Sequence, residues 1–342
     1  MLTLGTIEVE NGAVFKANGT LRAENNWILG SGATKASPFK FMVKSGGVAD
    51  IGSQTRSISA GLHNTDYIVE EGGAMRYYLK PTFANGKRTR FENMGELVFP
   101  YGLALANTSA STVGALEINQ RSGVLRLSGG FSLTRAEGAS STCSVNLHGG
   151  TTVVSNDASF ALWDFAFAAD AEAAVEIPAG GEFSAADFAW GENASLEKKG
   201  AGVLGFAVGN DVESARVKLG EGVLLPAGEV LAKSLSVEFA GGAIGIEPGV
   251  SAENGLLATN GVISGTCRVR NLGAAGSVAA TAFMTVSAEN DPHYTSENVV
   301  IEHRNGRVAK GRVIREEITL GDVPCVRYSA EIVSPGMTVI VK

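Results

Sequence analysis

A glycine returns at a nearly constant interval along this chain, each time opening a short apolar run. "GVLGF" begins at Gly202, "GVLLP" at Gly222, "GAIGI" at Gly242 and "GVISG" at Gly261, an almost even spacing. Two positions after each anchor stand Leu204, Leu224, Ile244 and Ile263. The first two units agree further, "KKGAGVL" against "KLGEGVL", with Gly200 and Gly220 in register. Upstream the punctuation recurs, more widely and less evenly spaced, at Gly12, Gly47, Gly73, Gly95, Gly123, Gly150 and Gly181. A unit of about 20 residues cannot bury its own apolar face, so copies must stack. At ~3.3 Å per strand residue such a unit makes two or three short strands and their turns, one coil of a β-solenoid. Successive coils then pair by parallel ladders ~4.8 Å apart, and about ten coils give a stack on the order of 50 Å. Leu204, Leu224, Ile244 and Ile263 are expected to form one inner row. A sandwich or propeller is disfavoured: only six Asn-Gly hairpin signals occur, and the repeat has the length of one coil, not of a four-strand blade of ~40 residues.

Composition agrees with many short strands joined by tight turns. The 342 residues include 44 glycines; 44% are hydrophobic and 18% charged, so a core can be buried despite the glycine. The net charge of −7 gives no basic footprint for nucleic acid. No apolar run approaches the ~20 residues of a membrane-spanning helix. The opening "MLTLGTIEVENG" lacks the basic and apolar regions of a secretory signal and reads as a strand already under way, as in a piece of a longer protein. Its edge shows no cap, and upstream residues or a partner are expected to cover it. Cys143, Cys267 and Cys325 lie far apart and read as buried small apolar residues.

From about residue 283 the composition shifts. Phe283 to Lys342 holds 7 Lys/Arg and 8 Asp/Glu, a denser charge than in the chain as a whole, and glycine thins out. "NVVIEHRNGRVAKGRVIREEITL" reads as a strand, a turn at Asn305-Gly306 and further strands; "VPCVRYSAEIVSPGMTVIVK" closes with two more. The fold class is therefore all-β: a single-stranded parallel β-helix over residues 1–282, and a small C-terminal antiparallel β cap or module over residues 283–342.

Candidate chemistry is sparse. Asn64-Thr65-Asp66, His148-Gly149 and Arg216-Val217-Lys218 occur in the order found in polygalacturonase-like enzymes. The paired Asp-Asp of that pattern is missing, and glycosidic hydrolysis needs two carboxylates about the scissile bond. Asp164, Asp170 and Asp187 are spaced apart, and His63, His148, His293 and His303 are isolated, so no metal-ligand spacing is present. "MRYYLKPTFANGKRTRF", from Met75 to Phe91, sets Arg76, Lys80, Lys87, Arg88 and Arg90 beside Tyr77, Tyr78 and Phe83. It reads as a projecting hairpin turned at Asn85-Gly86, able to hold an anionic glycan if the aromatics are not folded onto the coils. "LWDFAFA" places Trp163, Phe165 and Phe167 on one face, as an inward stack or, if exposed, a platform for sugar rings.

"LEKKGAGVLGF" resembles the autotransporter-associated beta strand repeat, in which "L-x-K-x-G-x-G-x-L" recurs. Leu196, Lys198, Gly200, Gly202 and Leu204 occupy those places. The likeness is good over one unit, partial over residues 215–265 and faint before residue 190. It implies a right-handed parallel β-helix on the outside of a bacterial cell. The C-terminal segment is too short for an outer-membrane barrel. The reading is a non-catalytic structural or adhesive passenger-type β-solenoid, displayed on or secreted from a bacterial cell. A carbohydrate-binding or polysaccharide-cleaving β-helix is the alternative. Neither catalytic nor metal residues nor a cofactor are assigned, and the expected partners are a glycan or another surface protein.

Overall fold

The computed structural model describes residues 6–9, 14–17, 38–51, 59–60, 64–78, 80–84, 87–107, 113–184, 188–208, 214–230, 235–258, 262–273 and 278–332. Among the described residues there is no α-helix, and the one helical turn is 3₁₀, at Ala288–Asn290. The fold is a β-solenoid of stacked parallel sheets with an antiparallel sheet toward the C-terminus. The chain divides into two compact units, Met1–Pro178 and Ala179–Lys342.

Coils of the first unit have three sides. On the first side, Thr6–Val9, Phe39–Val43, Thr65–Val69, Arg88–Asn93, Ala115–Gln120, Thr142–Val154 and Asp164–Glu176 pair in parallel, each with the next. On the second, Val14–Ala17, Val48–Ile51, Ala74–Tyr77, Glu96–Phe99 and Val124–Leu127 do the same, and the later half of Thr142–Val154 follows them. The third side holds Ser59–Ala60, Thr82–Ala84, Gly102–Asn107, Gly130–Arg135 and Ser159–Ala161.

Side chains alternate in and out along each strand, so parallel pairing in register stacks like positions into rows. Phe41, Tyr67, Phe91, Ile118, Val145 and Phe165 form one row. Tyr67 and Phe91 stack with centroids 4.8 Å apart, and Tyr77 stacks on Phe99 at 5.2 Å. The ladder spacing matches the stacking distance, which is why aromatics recur at these positions.

The anchor glycines stand where one coil bonds to the next. The carbonyls of Gly47, Gly73, Gly95 and Gly123 accept from the amides of Ala74, Glu96, Val124 and Thr151, at 3.0, 2.9, 2.7 and 2.9 Å. A Cβ on Gly95 would fall 2.3 Å from the Gly73 carbonyl oxygen. One on Gly123, whose φ is +67°, would fall 2.1 Å from that of Gly95. The second unit repeats the device, with Gly181, Gly202 and Gly222 accepting from Val203, Val223 and Ala243 at 2.9, 3.0 and 2.9 Å. Gly12 and Gly261 lie outside the described residues.

The inner row expected in the second unit is present with Leu204, Leu224 and Ile244 as expected, but without Ile263. It runs Phe183, Leu204, Leu224, Ile244, Val269 and Ile301, every one buried. Ile263 belongs instead to the adjoining side, where it follows Leu196, Val217 and Val237. The coil after Ile244 is longer than the two before it, so its second-side strand arrives at Arg268–Asn271. Gly205 sits between Ser184 and Leu225. A Cβ there would lie 2.8 Å from the Ser184 hydroxyl, so the glycine answers crowding between coils. The side chains of Phe206 and Val208, and Gly209-Asn210 after them, lie outside the described residues.

The antiparallel sheet grows out of the solenoid. Leu256–Ala258 pairs in parallel with Val278–Ser287, which pairs antiparallel with Val323–Ile332, which pairs antiparallel with Gly311–Leu320. The antiparallel pairing thus begins at Val278, ahead of Phe283, and the sheet takes in Leu256–Ala258 as well. Val300–Glu302, the first strand expected in this region, extends the second-side ladder. Asn305-Gly306 makes the turn after it, with Gly306 at φ +78°. Of the two closing strands expected, Val323–Ile332 is present; the residues after it lie outside those described.

Gly123→Ala and Gly138→Ala separate contact from conformation. Both glycines have positive φ, which costs an alanine about 1–2 kcal/mol, but Gly138 has no atom within 4 Å of its hypothetical Cβ. Urea unfolding should show Gly138→Ala losing about that much and Gly123→Ala at least ~2 kcal/mol more.

Candidate functional site

Polar chemistry concentrates on the outward face of the first side in the first unit. Asp66, Arg90, Glu117 and Ser144 share one outer row, and Ile68, Glu92, Asn119 and Asn146 the next. Asp66 is buried under two guanidinium groups, Arg88 Nη2 at 3.0 Å and Arg90 Nη2 at 2.7 Å. Asn64 Oδ1 accepts from the Arg88 amide at 3.0 Å. Glu92 faces Arg90 Nε at 3.3 Å and accepts from Asn119 Nδ2 at 2.7 Å and Arg121 Nε at 2.9 Å. Asn146 Nδ2 donates to Asn119 Oδ1 at 2.8 Å, continuing the chain of bonds one coil further. Arg121 Nη1 lies 3.0 Å from His148 Nδ1. Burial and the Arg121 charge both lower the His148 pKa, so the ring accepts that bond in its neutral form. On the second side Glu96 joins Arg76 at 2.9 Å and Arg126 at 3.5 Å, and the bond from Arg76 holds its carboxyl below the usual range.

This face links coil to coil and aims at no common point. Asp66 and His148 are three ladder steps apart, about 15 Å at the strand spacing, and offset along the strand as well. Arg216 and Lys218 stand in the second unit, where Lys218 meets Glu197 at 3.3 Å. Within the first unit, therefore, Asn64-Thr65-Asp66 and His148-Gly149 do not become a cluster. Asp164 and Asp170 are both exposed; Asp187 and His63 lie outside the described residues. Among the described residues, no three His, Cys, Asp or Glu side chains are grouped to hold a metal.

The Met75 to Phe91 segment is not a hairpin. Its strands Ala74–Tyr77, Thr82–Ala84 and Arg88–Asn93 lie on the second, third and first sides in turn, each in parallel ladders. The segment is most of one coil. Tyr77, Phe83 and Phe91 point into the core, and Asn85-Gly86 lies outside the described residues. Among the described residues four of its five cations are engaged, Lys87 being the exception: Arg76 by Glu96, Arg88 and Arg90 by Asp66, and Lys80 Nζ by Ser132 Oγ at 3.3 Å. Trp163, Phe165 and Phe167 are likewise buried, forming an inward stack and not an exposed platform.

Two polar sites escaped the sequence reading. Lys198, the lysine of "L-x-K-x-G", is fully buried, and its ammonium donates to the carbonyls of Lys199 and Gly200 at 2.6 Å and of Glu221 at 3.3 Å. It thereby ties the corner of its own coil to that of the next. Asn93 and Gln120 act likewise in the first unit, where Asn93 Nδ2 reaches Gln120 Oε1 at 2.6 Å and Val124 O at 3.0 Å. The second site is Asp291, just after the 3₁₀ turn. It accepts from the Tyr328 hydroxyl, from the His293 amide at 2.9 Å and from Arg315 Nη2 at 2.9 Å. Burial raises the Asp291 pKa, but these donors outweigh it and hold the carboxyl below its usual value. The three cysteines are buried and free. Burial pushes Cys143 and Cys267 up to about 12.

The first unit also has an open groove along its glycine corner, of about 420 Å³, walled by Glu71, Gly73, Met94, Gly95, Glu96 and Gly123.

Asp66→Ala leaves Arg88 and Arg90 without their shared carboxylate. It should cost about 2 kcal/mol in urea unfolding, less than the 3–5 of a fully buried pair because the guanidinium groups are part-exposed. Because the folded Asp291 pKa is depressed, its contribution to stability is present above the ordinary Asp value of about 3.9 and fades as pH falls below it. Thermal unfolding of Asp291→Asn should show lower stability at neutral pH and a shallower loss between pH 4 and 2.

Comparison with known protein families, with curated proteins and with solved structures finds no match to this chain.

Proposed function

We propose that the chain is a non-catalytic structural or adhesive β-solenoid of passenger type, displayed on or secreted from a bacterial cell. One observation carries the non-catalytic part. Charged and amide groups of the outward face are engaged in bonds that run from coil to coil, Asp66 to Arg90 and Glu92 to Asn119 and on to Asn146, with Arg90 and Glu92 joined within one strand. Such groups fix the stack and converge on no reacting atom, whereas catalytic groups must meet within hydrogen-bond reach of one. The display part rests on the "L-x-K-x-G-x-G-x-L" resemblance. Incubation with acidic polysaccharides should release no oligosaccharide, and protease treatment of intact producing cells should remove the chain. Released product, or a chain protected until the cells are lysed, would overturn the reading.

A carbohydrate-binding role is the second reading, favoured by the groove along the glycine corner. Glu71 lines it and is exposed, so a cationic or hydroxyl-rich glycan would be its ligand class. A glycan-binding screen should then return a ligand whose retention falls at least about tenfold in Glu71→Ala.

A further inference from the structure

Gly311–Leu320 is the outer strand of the antiparallel sheet, and among the described residues its ladder partner is Val323–Ile332 alone. Which of its backbone groups face outward follows from two observations. The Val313 amide is bonded sideways to Ser296 Oγ at 2.9 Å, not to the ladder. Pro324, which has no amide hydrogen, stands opposite Thr319. In an antiparallel pair the hydrogen-bonded positions alternate, so Val313, Arg315, Glu317 and Thr319 all turn their backbone groups to the free edge. Ser296 covers the first of these amides. Among the described residues, Arg315, Glu317 and Thr319 are left as a row ready to accept another strand.

Charge on an edge ordinarily deters pairing. Here the charges are arranged to permit it with one partner. Val313-Ile314-Arg315-Glu316-Glu317-Ile318-Thr319 is a chemical palindrome about Glu316: Ile314 mirrors Ile318, Val313 mirrors Thr319, and Arg315 mirrors Glu317 with opposite sign. We propose that this edge is a self-association surface, on which two copies of the chain join their Gly311–Leu320 strands antiparallel about a two-fold axis at Glu316.

The register follows from the same facts. A two-fold axis perpendicular to a continuous sheet pairs residues whose numbers differ by an even count, and the outward-facing positions must meet one another. Centring on Glu316 satisfies both. Arg315 then lies opposite the second copy's Glu317, and Glu317 opposite its Arg315, each pair exchanging both backbone bonds. Centring on Arg315 sets arginine against arginine; centring on Glu317 sets glutamate against glutamate. In the chosen register the two Glu316 side chains meet on the other face, where each has Arg327 of its own chain at 3.9 Å. In the single chain Glu317 meets Arg315 at 2.8 Å, but it is 77% exposed, so it can exchange that partner for the second copy's Arg315.

Sedimentation equilibrium of the full chain from about 1 to 100 μM should show a dimer. Glu317→Pro removes an outward amide that the single chain does not use, and proline is tolerated at such edge positions. It should weaken dimerisation at least about tenfold while leaving the circular dichroism spectrum and Tm close to those of the parent. Glu317→Lys keeps the backbone amide, sets lysine against Arg315 and should weaken dimerisation to a similar degree, so a misfolded proline variant does not end the test. Hydrogen exchange at Arg315, Glu317 and Thr319 should slow as concentration rises. A chain that stays monomeric throughout would overturn the proposal, whether those amides exchange fast or are protected at every concentration by another part of the chain. A dimer indifferent to both substitutions would do the same.

Discussion

Everything in this fold depends on how closely one coil can approach the next at its corner. Along the strands the backbone ladders bring coils together at about 4.8 Å. At the corner the chain must turn while still bonding upward, and the bond is made by the glycine carbonyl to the first strand amide of the following coil. The carbonyl of Gly95 stands where a side chain on Gly123 would have to go. A single residue larger than glycine there opens the ladder on both sides of the turn. The anchors are thus a condition of stacking, and the loops between them are free to lengthen.

That dependence explains what could be read from the sequence. Anchors that are obligatory at the backbone level remain visible when every side chain around them varies. Gly47, Gly73, Gly95, Gly123 and Gly150 are in register, although the gaps between them are unequal. The inner rows were legible for the same reason: Leu204, Leu224 and Ile244 follow their anchors by two residues. Ile263 failed because its coil lengthened, and a spacing close to that of the repeat coincided with a position on the neighbouring side. The Met75 to Phe91 segment failed differently. Asn-Gly is a hairpin signal only where a chain returns on itself. In a solenoid each strand finds its partner a coil away, so the local signal loses to the stack.

The outward face was the least legible part. Asp66, Arg90, Glu92, Asn119 and Asn146 are far apart in the sequence and become neighbours only once the coil register is known. Short motif matches carried no such register, which is why Asn64-Thr65-Asp66 suggested a hydrolase. Its Asp66 instead neutralises two arginines of the following coil. The aromatics misled in the same direction. Tyr77 and Phe83 beside cations look like a sugar-binding surface in one dimension, but alternation along the strands sends the rings inward and the cations outward.

The corner also accounts for the lysine of "L-x-K-x-G-x-G-x-L". The position that closes the first-side strand is Val43, Val69, Asn93, Gln120 and Leu147 in successive coils of the first unit, and Lys198, Leu219 and Phe239 in the second. Most coils place an apolar side chain there and leave the corner carbonyls to backbone donors. Where the residue is polar, it turns inward over the corner and donates to those carbonyls. Gln120 Nε2 reaches Ser122 O at 2.7 Å, and Lys198 Nζ reaches Gly200 O at 2.6 Å. A buried ammonium is tolerated only when surrounded by acceptors. The glycine turn supplies them, because its carbonyls converge on a point that no side chain of its own can fill. Lysine and glycine in this motif are therefore two parts of one corner: the glycines create a concave nest of carbonyls, and the lysine closes it between two coils.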